Sequence, residues 1–309
     1  MHGVLLLDKP RGLSSNDALQ KCKWLLRAEK AGHTGTLDPL ATGVLPLCFG
    51  AATKFSQLQL DADKTYEAIA QLGVRTSTGD AEGDVLARVD VGMPTQADLA
   101  AVAQRLSGAQ QQVPPMHSAL KKDGRALYEY ARQGIEVERA PRDIVVHRLH
   151  LEPAGDEWPQ PSVRLVARVS KGTYIRTLGE AVGESLGCGA HLRMLRRVAT
   201  GGFDIKQCVT LEDFTAMDEA ERLRCLLPVD ALLEGHAPVM LNPDDAGRFL
   251  SGLRRRGAWP DAAQVAVYGS QPHALLGTAH VRAGELIPSR LLSPTEIAQI
   301  LEQTAETTS

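Results

Sequence analysis

The order in which strand-like and helix-like segments follow one another restricts the fold of this chain more than any other feature of its sequence. Patterns typical of strands cover residues 4–7, 65–72, 142–151 and 162–170. Apolar residues at helical spacing cover residues 15–27, 95–106 and 172–186. Because strands and helices do not alternate steadily, the sequence predicts an α+β fold with a mixed sheet rather than a doubly wound parallel sheet.

Capping residues mark the beginnings of the first two helices. Ser14 is followed three residues later by Asp17, which together form a capping box, and Thr95 precedes the second helical pattern. In the strand predicted at residues 65–72, alternation places Tyr66, with Ala68 two residues later, on the apolar face.

The chain has 309 residues, which is enough for one large domain and an appendage. Prolines and acidic residues interrupt the pattern at residues 227–243, which we interpret as a linker. Residues 243–255 have a helical pattern, and residues 264–292 contain several short strand candidates separated by glycines. The sequence therefore predicts a small β-rich accessory domain after the linker.

Charge is distributed unevenly along a chain whose net charge is −3. Residues 161–206 contain eight Lys or Arg against three Asp or Glu, whereas residues 207–234 contain two against seven. This segregation is compatible with a basic face that binds nucleic acid, and equally with ordinary solvated faces.

The cysteines and the amino terminus indicate the compartment. Five scattered cysteines without a C-x-x-C pair argue against a disulfide framework and against a structural zinc site, and they fit a reducing cytoplasm. The apolar run at residues 4–7 is too short for the core of a signal peptide or for a membrane span. We therefore expect a cytoplasmic protein that does not bind membranes.

A single acidic residue stands in an unusual loop of small residues. Residues 33–46 have the sequence HTGTLDPLATGVLP, in which Asp38 is the one carboxylate. The loop lacks the Gly-Lys-Ser/Thr of a phosphate-binding loop, and only His33 is near enough in sequence to serve as a further metal ligand. Asp38 followed by Pro39 is also a common way to begin a turn, so the loop by itself leaves a structural role open.

Three further stretches connect this loop to a known family. Residues 3–15 (GVLLLDKPRGLSS), 170–180 (SKGTYIRTLGE) and 188–197 (CGAHLRMLRR) occur in the same order and at similar distances as in that family. Together with the loop, the chain resembles the bacterial TruB family of tRNA pseudouridine-55 synthases over residues 3–214. The resemblance implies a mixed-sheet catalytic domain at residues 1–230, a PUA-like RNA-binding domain at 238–292 and a C-terminal tail at 293–309.

The resemblance implies that the protein converts uridine 55 in the T loop of tRNA to pseudouridine by base flipping, with Asp38 as the catalytic carboxylate. This isomerisation breaks the N1–C1′ bond and rejoins the uracil through C5, so it requires no cofactor and no metal. One carboxylate is enough, whereas a hydrolytic glycosidase would usually need two. The sequence leaves open whether Asp38 attacks the base, attacks C1′ or abstracts the C2′ proton.

The resemblance also assigns Arg176 and Tyr66 to the active site, with Leu195 lining the uracil pocket. Arg176 would keep Asp38 ionised, since a guanidinium does not lose its charge. Judged from the residues alone, Arg176 could be an ordinary surface arginine and Tyr66 a core residue. Leu195 has apolar neighbours that would also fit packing on a helix.

The remaining implied residues contact RNA or support the loop. His33 is expected to fill the gap left by the flipped base, Tyr174 to contact the substrate, and Lys9 with Pro10 to brace the catalytic loop. Basic side chains that could meet phosphates are Lys21, Lys23, Arg27, Lys121, Lys122, Arg193, Arg196 and Arg197.

We expect tRNA, through its T arm, as the partner, with no obligatory protein partner and a monomeric chain. The alternative to an enzyme is a tRNA-binding or tRNA-folding factor whose catalysis is incidental or lost.

Overall fold

The computed structural model describes residues 1–308, so residue 309 of the predicted C-terminal tail lies outside the described residues. The strands are β1 (Gly3–Lys9), β2 (Ala31–His33), β3 (Thr42–Phe49), β4 (Lys64–Leu72), β5 (Val74–Thr76), β6 (Val85–Arg88), β7 (Gly108–Gln112), β8 (Lys121–Lys122), β9 (Arg125–Ala126), β10 (Arg142–Pro153), β11 (Ser162–Val169), β12 (Ala190–Thr200), β13 (Phe203–Asp204), β14 (Val209–Thr210), β15 (Leu226–Leu227), β16 (Ala237–Leu241), β17 (Arg255–Arg256), β18 (Ala262–Ser270), β19 (His273–Arg282) and β20 (Glu285–Leu291).

The α-helices are α1 (Ser15–Leu25), α2 (Ser56–Leu60), α3 (Gln96–Arg105), α4 (Leu127–Ala131), α5 (Ile175–Ser185), α6 (Leu211–Ala216), α7 (Glu219–Arg224), α8 (Pro243–Leu250) and α9 (Pro294–Thr308). Within residues 1–308, three short 3-10 helices lie at Gly50–Lys54, Ile205–Gln207 and Val229–Leu233. Both predicted caps are present: Ser14 and Thr95 accept hydrogen bonds from the backbone N–H groups of Asp17 and Asp98, and both form capping boxes.

One large mixed sheet dominates the first 230 residues. Its strands follow the order β14-β1-β3-β12-β4-β11-β10-β7, with β2, β13 and β15 paired to β3, β12 and β1. The pairs β1–β14 and β3–β12 are parallel, and the other neighbours along this order are antiparallel. The prediction of an α+β fold is therefore confirmed.

The main core lies between this sheet and the helices α1, α3 and α5. It includes Leu19 of α1, Leu99 of α3 and Leu178 of α5, packed with Leu45 and Leu165 from the sheet. Alternation along β4 buries Ala68 and Ala70 in this core and leaves Tyr66 partly buried at its edge. Some side chains of β4 and β12 therefore lie in the core, and others line a cleft that is described below.

A second sheet of five strands, in the order β16-β18-β19-β20-β17, forms the C-terminal region. It has its own core around Val267 and Phe249. A further cluster joins the two regions, because Leu275 and Leu292 pack with Val4 and Phe55 of the N-terminal region. The two sheets therefore share buried apolar surface.

The interpretation of residues 227–243 as a linker is wrong. Val229, Leu232 and Leu233 of the 3-10 helix are buried in the cluster that joins the two regions, and β16 begins at Ala237. The prolines of this segment are exposed and Asp230 is half-buried, where it accepts a hydrogen bond from the Tyr268 hydroxyl, while the buried apolar residues of the 3-10 helix pack inward. The predicted C-terminal tail at residues 293–309 contains helix α9, which begins at Pro294.

Candidate active site

The loop that contains Asp38 connects β2 to β3, and helix α1 holds it in place. The backbone N–H of Leu37 donates to Ser15 Oγ at 2.8 Å, and the same hydroxyl donates to the carbonyl of Leu37 at 3.0 Å. The Ala41 N–H donates to the Asp38 carbonyl at 3.0 Å, so the turn expected from Asp-Pro is also present. The turn fixes the position of the Asp38 carboxylate. A structural role as an Asp-Pro turn is therefore compatible with a functional role for Asp38.

Arg197 supports the same loop from β12. Its Nε donates to the carbonyl of Val44 at 2.7 Å and its Nη2 to the carbonyl of Gly35 at 3.1 Å. Gly35 has a φ of 92°, and a Cβ at this position would lie 3.3 Å from the Arg197 guanidinium. The small residue therefore allows the close approach that this clamp requires.

Arg176 is buried at the start of α5 and pairs with Asp38. Its Nη2 lies 2.9 Å from Asp38 Oδ2, with side-chain exposures of 5% for the arginine and 38% for the aspartate. The guanidinium also donates to the carbonyls of Thr78 (3.0 Å) and His117 (2.5 Å). Its Nε lies 3.8 Å from Asp80 Oδ2. The alternative of an ordinary surface arginine is therefore wrong.

Opposing effects set the protonation of Asp38. Burial raises the pKa of its carboxyl above the ordinary value of 3.8, the positive charge of Arg176 lowers it, and the negative charge of Asp80 raises it further. The pairing expected from the sequence is present, but the pKa of Asp38 remains raised because burial outweighs the favourable charge and hydrogen bond of Arg176.

A cleft of about 640 Å³ opens beside this ion pair. Tyr66, Tyr174 and Leu195 line it together with Asp38 and Arg176. Five of the predicted site residues, which are separated by up to 157 positions (195 − 38) in the chain, therefore lie in one cleft.

Leu195 lies on a strand, and the helical interpretation of its neighbourhood is wrong. Residue 195 pairs with Ala68 of β4, and Arg197 pairs with Tyr66. A register shift between Leu192 and Met194 interrupts the alternation, which explains why the apolar residues of this strand resemble a helical pattern.

His33 lines an adjoining cavity of about 490 Å³ that also touches Asp38 and Arg176. Burial lowers the pKa of His33, with the Arg197 charge acting in the same direction. Its Nδ1 is buried and has no hydrogen-bond partner among the described residues. The imidazole is thus a neutral, flat side chain beside the loop that contains Asp38.

Lys9 lies under the active site and does not line the cleft. Its side chain is fully buried and donates to the carbonyls of Pro10 (2.9 Å) and Leu13 (2.6 Å). Burial lowers the pKa of this lysine to about 8. These contacts tie the end of β1 to the turn before α1, the helix that holds Leu37, which is compatible with the bracing role expected for Lys9 and Pro10.

Sequence reasoning missed two residues that position the site. Asp80 is buried, accepts hydrogen bonds from Thr78 Oγ1 (2.5 Å) and from the N–H of Glu82 (3.0 Å), and faces Arg176. The Gln112 amide accepts from the Tyr174 N–H (2.7 Å) and donates to the Tyr174 carbonyl (3.1 Å), two residues before Arg176. Asp80 occurs in a segment with turn composition and Gln112 in a run of glutamines, so neither has a distinguishing pattern.

Two of the basic residues expected to meet phosphates are used inside the protein. Arg196 forms a bidentate pair with Asp8, with N–O distances of 3.0 and 2.6 Å. Arg197 is almost fully buried in the loop clamp described above. Both guanidinium groups therefore support β1, β3 and the loop that contains Asp38.

Family models match most of the chain. Residues 23–175 match the TruB family pseudouridylate synthase N-terminal domain, residues 176–234 match the tRNA pseudouridylate synthase B C-terminal domain, and residues 237–292 match the pseudouridine synthase II TruB C-terminal domain. The chain belongs to the TruB family.

Relatives within the family are similar to the chain over nearly its whole length. A tRNA pseudouridine synthase B of Verminephrobacter eiseniae is 63% identical over 97% of this chain and 92% of the relative. One of Cupriavidus pinatubonensis is 54% identical over 94% of each.

Among solved structures, a Cbf5–Nop10–Gar1 complex matches 96% of this TruB chain and 86% of its own chain, with 25% identity and a TM-score of 0.70. An H/ACA RNP bound to a substrate RNA containing 2′-deoxyuridine matches 94% and 85%, with 23% identity and a TM-score of 0.68. The second likeness supports the fold.

Within residues 1–308, no helix of this TruB protein is both long and apolar enough to cross a membrane, and no group of three or more His, Cys, Asp or Glu is arranged to hold a metal ion.

Proposed function

We propose that this chain isomerises uridine 55 in the T loop of tRNA to pseudouridine, with Asp38 as the catalytic carboxylate. The observation that carries the proposal is the Asp38–Arg176 ion pair at 2.9 Å on the wall of a nucleotide-sized cleft. The chain is a pseudouridine synthase of the TruB family, and its relatives named tRNA pseudouridine synthase B cover almost all of it.

The composition of the cleft favours isomerisation over hydrolysis. Among the described residues that line it, Asp38 is the only carboxylate, and Asp80 lines the adjoining cavity, where it faces Arg176. A hydrolytic glycosidase usually holds two carboxyl groups about 5–9.5 Å apart on either side of the bond. A single carboxylate suits a reaction in which the uracil is detached, turned and rejoined without the addition of water.

The other predicted site residues of the cleft and of the adjoining cavity have proposed roles. Tyr66 stacks on the target uracil, Leu195 forms an apolar wall and Tyr174 contacts the substrate at its open side. His33 occupies the space that the extruded base leaves in the RNA, for which a neutral ring is suited because it stacks without adding charge. Arg176 orients Asp38 and balances its negative charge.

The C-terminal region is proposed to hold the tRNA away from the active site. We assign residues 1–230 to the catalytic domain and residues 238–292 to a PUA-like RNA-binding domain, followed by the segment 293–309. The protein works as a monomer in the cytoplasm, with tRNA as its partner and without an obligatory protein partner.

A direct test uses the purified chain alone with a T-arm hairpin prepared without modifications. We expect pseudouridine at position 55 of the hairpin and of full-length tRNA, measured by base-resolution mapping, and no product with Asp38→Asn. Tight binding of tRNA without any pseudouridine from the wild-type chain would support the alternative of a tRNA-binding or tRNA-folding factor.

A further inference from the structure

Trp24, at the end of α1, is 77% exposed. A single exposed apolar side chain is ordinary in a folded protein. Trp24 differs because it lies in a surface cleft of about 510 Å³ whose lining includes Lys23, Arg27 and Arg222. Among the described residues of this lining there are three cations and no carboxylate. The cleft therefore combines a flat aromatic ring with positive charge.

The cations of this cleft remain available to a ligand to different degrees. Arg222 donates to the carbonyls of Phe214 (3.0 Å) and Thr215 (2.9 Å), which holds its guanidinium in place. Arg27 lies 3.7 Å from Glu219, and both side chains are largely exposed. Such a long, exposed ion pair contributes little to stability, so a phosphate can replace the carboxylate at little cost.

Helix α1 connects this cleft to the active site. Its first residue, Ser15, holds Leu37 next to Asp38, and Trp24 follows nine residues later. At 1.5 Å per residue the two ends are about 13 Å apart along the helix. The Trp24 cleft shares no lining residue with the two cavities at Asp38 among the described residues. A ligand at Trp24 is therefore separate from the nucleotide in the active site, yet close to it.

We propose that the Trp24 cleft binds an unpaired nucleotide of the tRNA substrate that lies outside the T arm. Its base stacks on the indole ring of Trp24, and the adjacent phosphates contact Lys23 and Arg27. Aromatic rings accept any base, and exposed cations on the wall of a cleft complement a phosphate backbone. This inference rests on the proposed function, because it takes the tRNA to be bound at Asp38.

The test compares the affinity of two RNAs, full-length unmodified tRNA and its isolated T-arm hairpin. Trp24→Ala should weaken the binding of full-length tRNA about fivefold or more, which is the lower range for loss of one base stack. The affinity for the hairpin should stay within about twofold, and Trp24→Phe should restore most of the loss because it keeps an aromatic face. Lys23→Gln should lower the slope of log affinity against log salt by about 0.7–0.9 for full-length tRNA only.

Leu86→Ala is the matched control, since Leu86 is a comparably exposed apolar residue outside the cleft. Its affinity for both RNAs should equal that of the wild type. Equal affinities of wild type and Trp24→Ala for full-length tRNA would overturn the proposal, as would an equal loss for both RNAs. A change in sedimentation with unchanged RNA affinity would also overturn it, because Trp24 would then contact protein. Pseudouridine formation by the wild-type chain on the hairpin tests the proposed function separately.

Discussion

The active site and the C-terminal sheet hold their arginines in opposite ways. Arg176 and Arg197 are buried and direct their guanidinium groups at backbone carbonyls and at Asp38. In the C-terminal sheet, Arg254 and Arg256 are largely exposed and share Glu285, with Arg256 87% exposed. A buried, saturated arginine fixes a reacting group, whereas an exposed one can exchange its partner for a phosphate. Substitutions should therefore affect catalysis in the first region and RNA affinity in the second.

The largest effect is expected for Asp38→Asn, which removes the charge and keeps the size of the side chain. Pseudouridine formation should fall by about 10⁴-fold or more, as expected when the central reacting group is lost. The fold should persist because Arg176 keeps its contacts with Asp80, Thr78 and His117. Single-turnover kinetics and tRNA affinity measure the two quantities, and near-normal turnover would remove Asp38 from the mechanism.

Arg176→Lys should reduce turnover by about 10²–10³-fold, comparable to the loss of one preorganised electrostatic contact. An ammonium group cannot serve Asp38, Asp80 and two carbonyls at once, as the planar guanidinium does. Affinity for tRNA should change by no more than a few-fold, which contrasts with the C-terminal arginines. Wild-type turnover with lysine would show that the geometry of this ion pair is unimportant.

Tyr66→Leu and Tyr66→Phe separate stacking from the chemistry of the hydroxyl group. Loss of one stacked base costs about 1–3 kcal/mol, so leucine should raise KM about 5- to 150-fold while phenylalanine leaves KM near the wild-type value. If the hydroxyl takes the C5 proton, the phenylalanine variant should bind tRNA and form little product. Equal and mild effects of both substitutions would return Tyr66 to a packing role.

The raised pKa of Asp38 should be visible in the pH profile. Under the proposed function the ionised carboxylate of Asp38 is the active form, so activity should be full above its pKa and should be lost as the pH falls through it. Burial raises the pKa of Asp38 above 3.8. As the pH is lowered, kcat/KM should therefore begin to decrease before pH 3.8 is reached, and below the pKa it should decrease about tenfold per pH unit. Asp80→Asn should move this acid limb to lower pH, since Asp80 raises the pKa. Thermal unfolding at each pH controls for loss of the fold, and a limb unmoved by Asp80→Asn would contradict the assignment.

The smallest effect is expected in the C-terminal sheet, for Arg256→Gln. If Arg256 contacts a phosphate, the slope of log affinity against log salt should decrease by about 0.7–0.9, with turnover at saturating tRNA unchanged. Titration of tRNA at several salt concentrations measures the slope. An unchanged slope would mean that Arg256 pairs only with Glu285.

A point substitution tests this region more cleanly than truncation. A chain ending near residue 234 would lose Leu275 and Leu292 from the cluster shared with Val4 and Phe55. Exposure of this apolar surface would disturb the catalytic region as well, so a loss of activity could not be attributed to RNA contacts.

Much of this protein is determined by local sequence. The capping boxes at Ser14 and Thr95 and the alternation of β4 follow from hydrogen bonds and side-chain directions within a few residues, so the sequence predicts them directly. The motifs around Asp38 and Arg176 are recognisable in the sequence because their residues are consecutive in the chain.

Only the tertiary structure brings in Asp80, Gln112 and the loop clamp of Arg197. Asp80 and Arg176 are 96 positions apart (176 − 80), and Gln112 meets Tyr174 across 62 residues, so their contacts depend on how distant segments pack. The same holds for Leu195, whose neighbours suggest a helix until pairing with β4 makes the segment a strand. Local sequence patterns specify which side chains are available. The packing of distant segments decides which of these side chains share one cleft. It also sets their pKa values, because desolvation and charge act through space rather than along the chain.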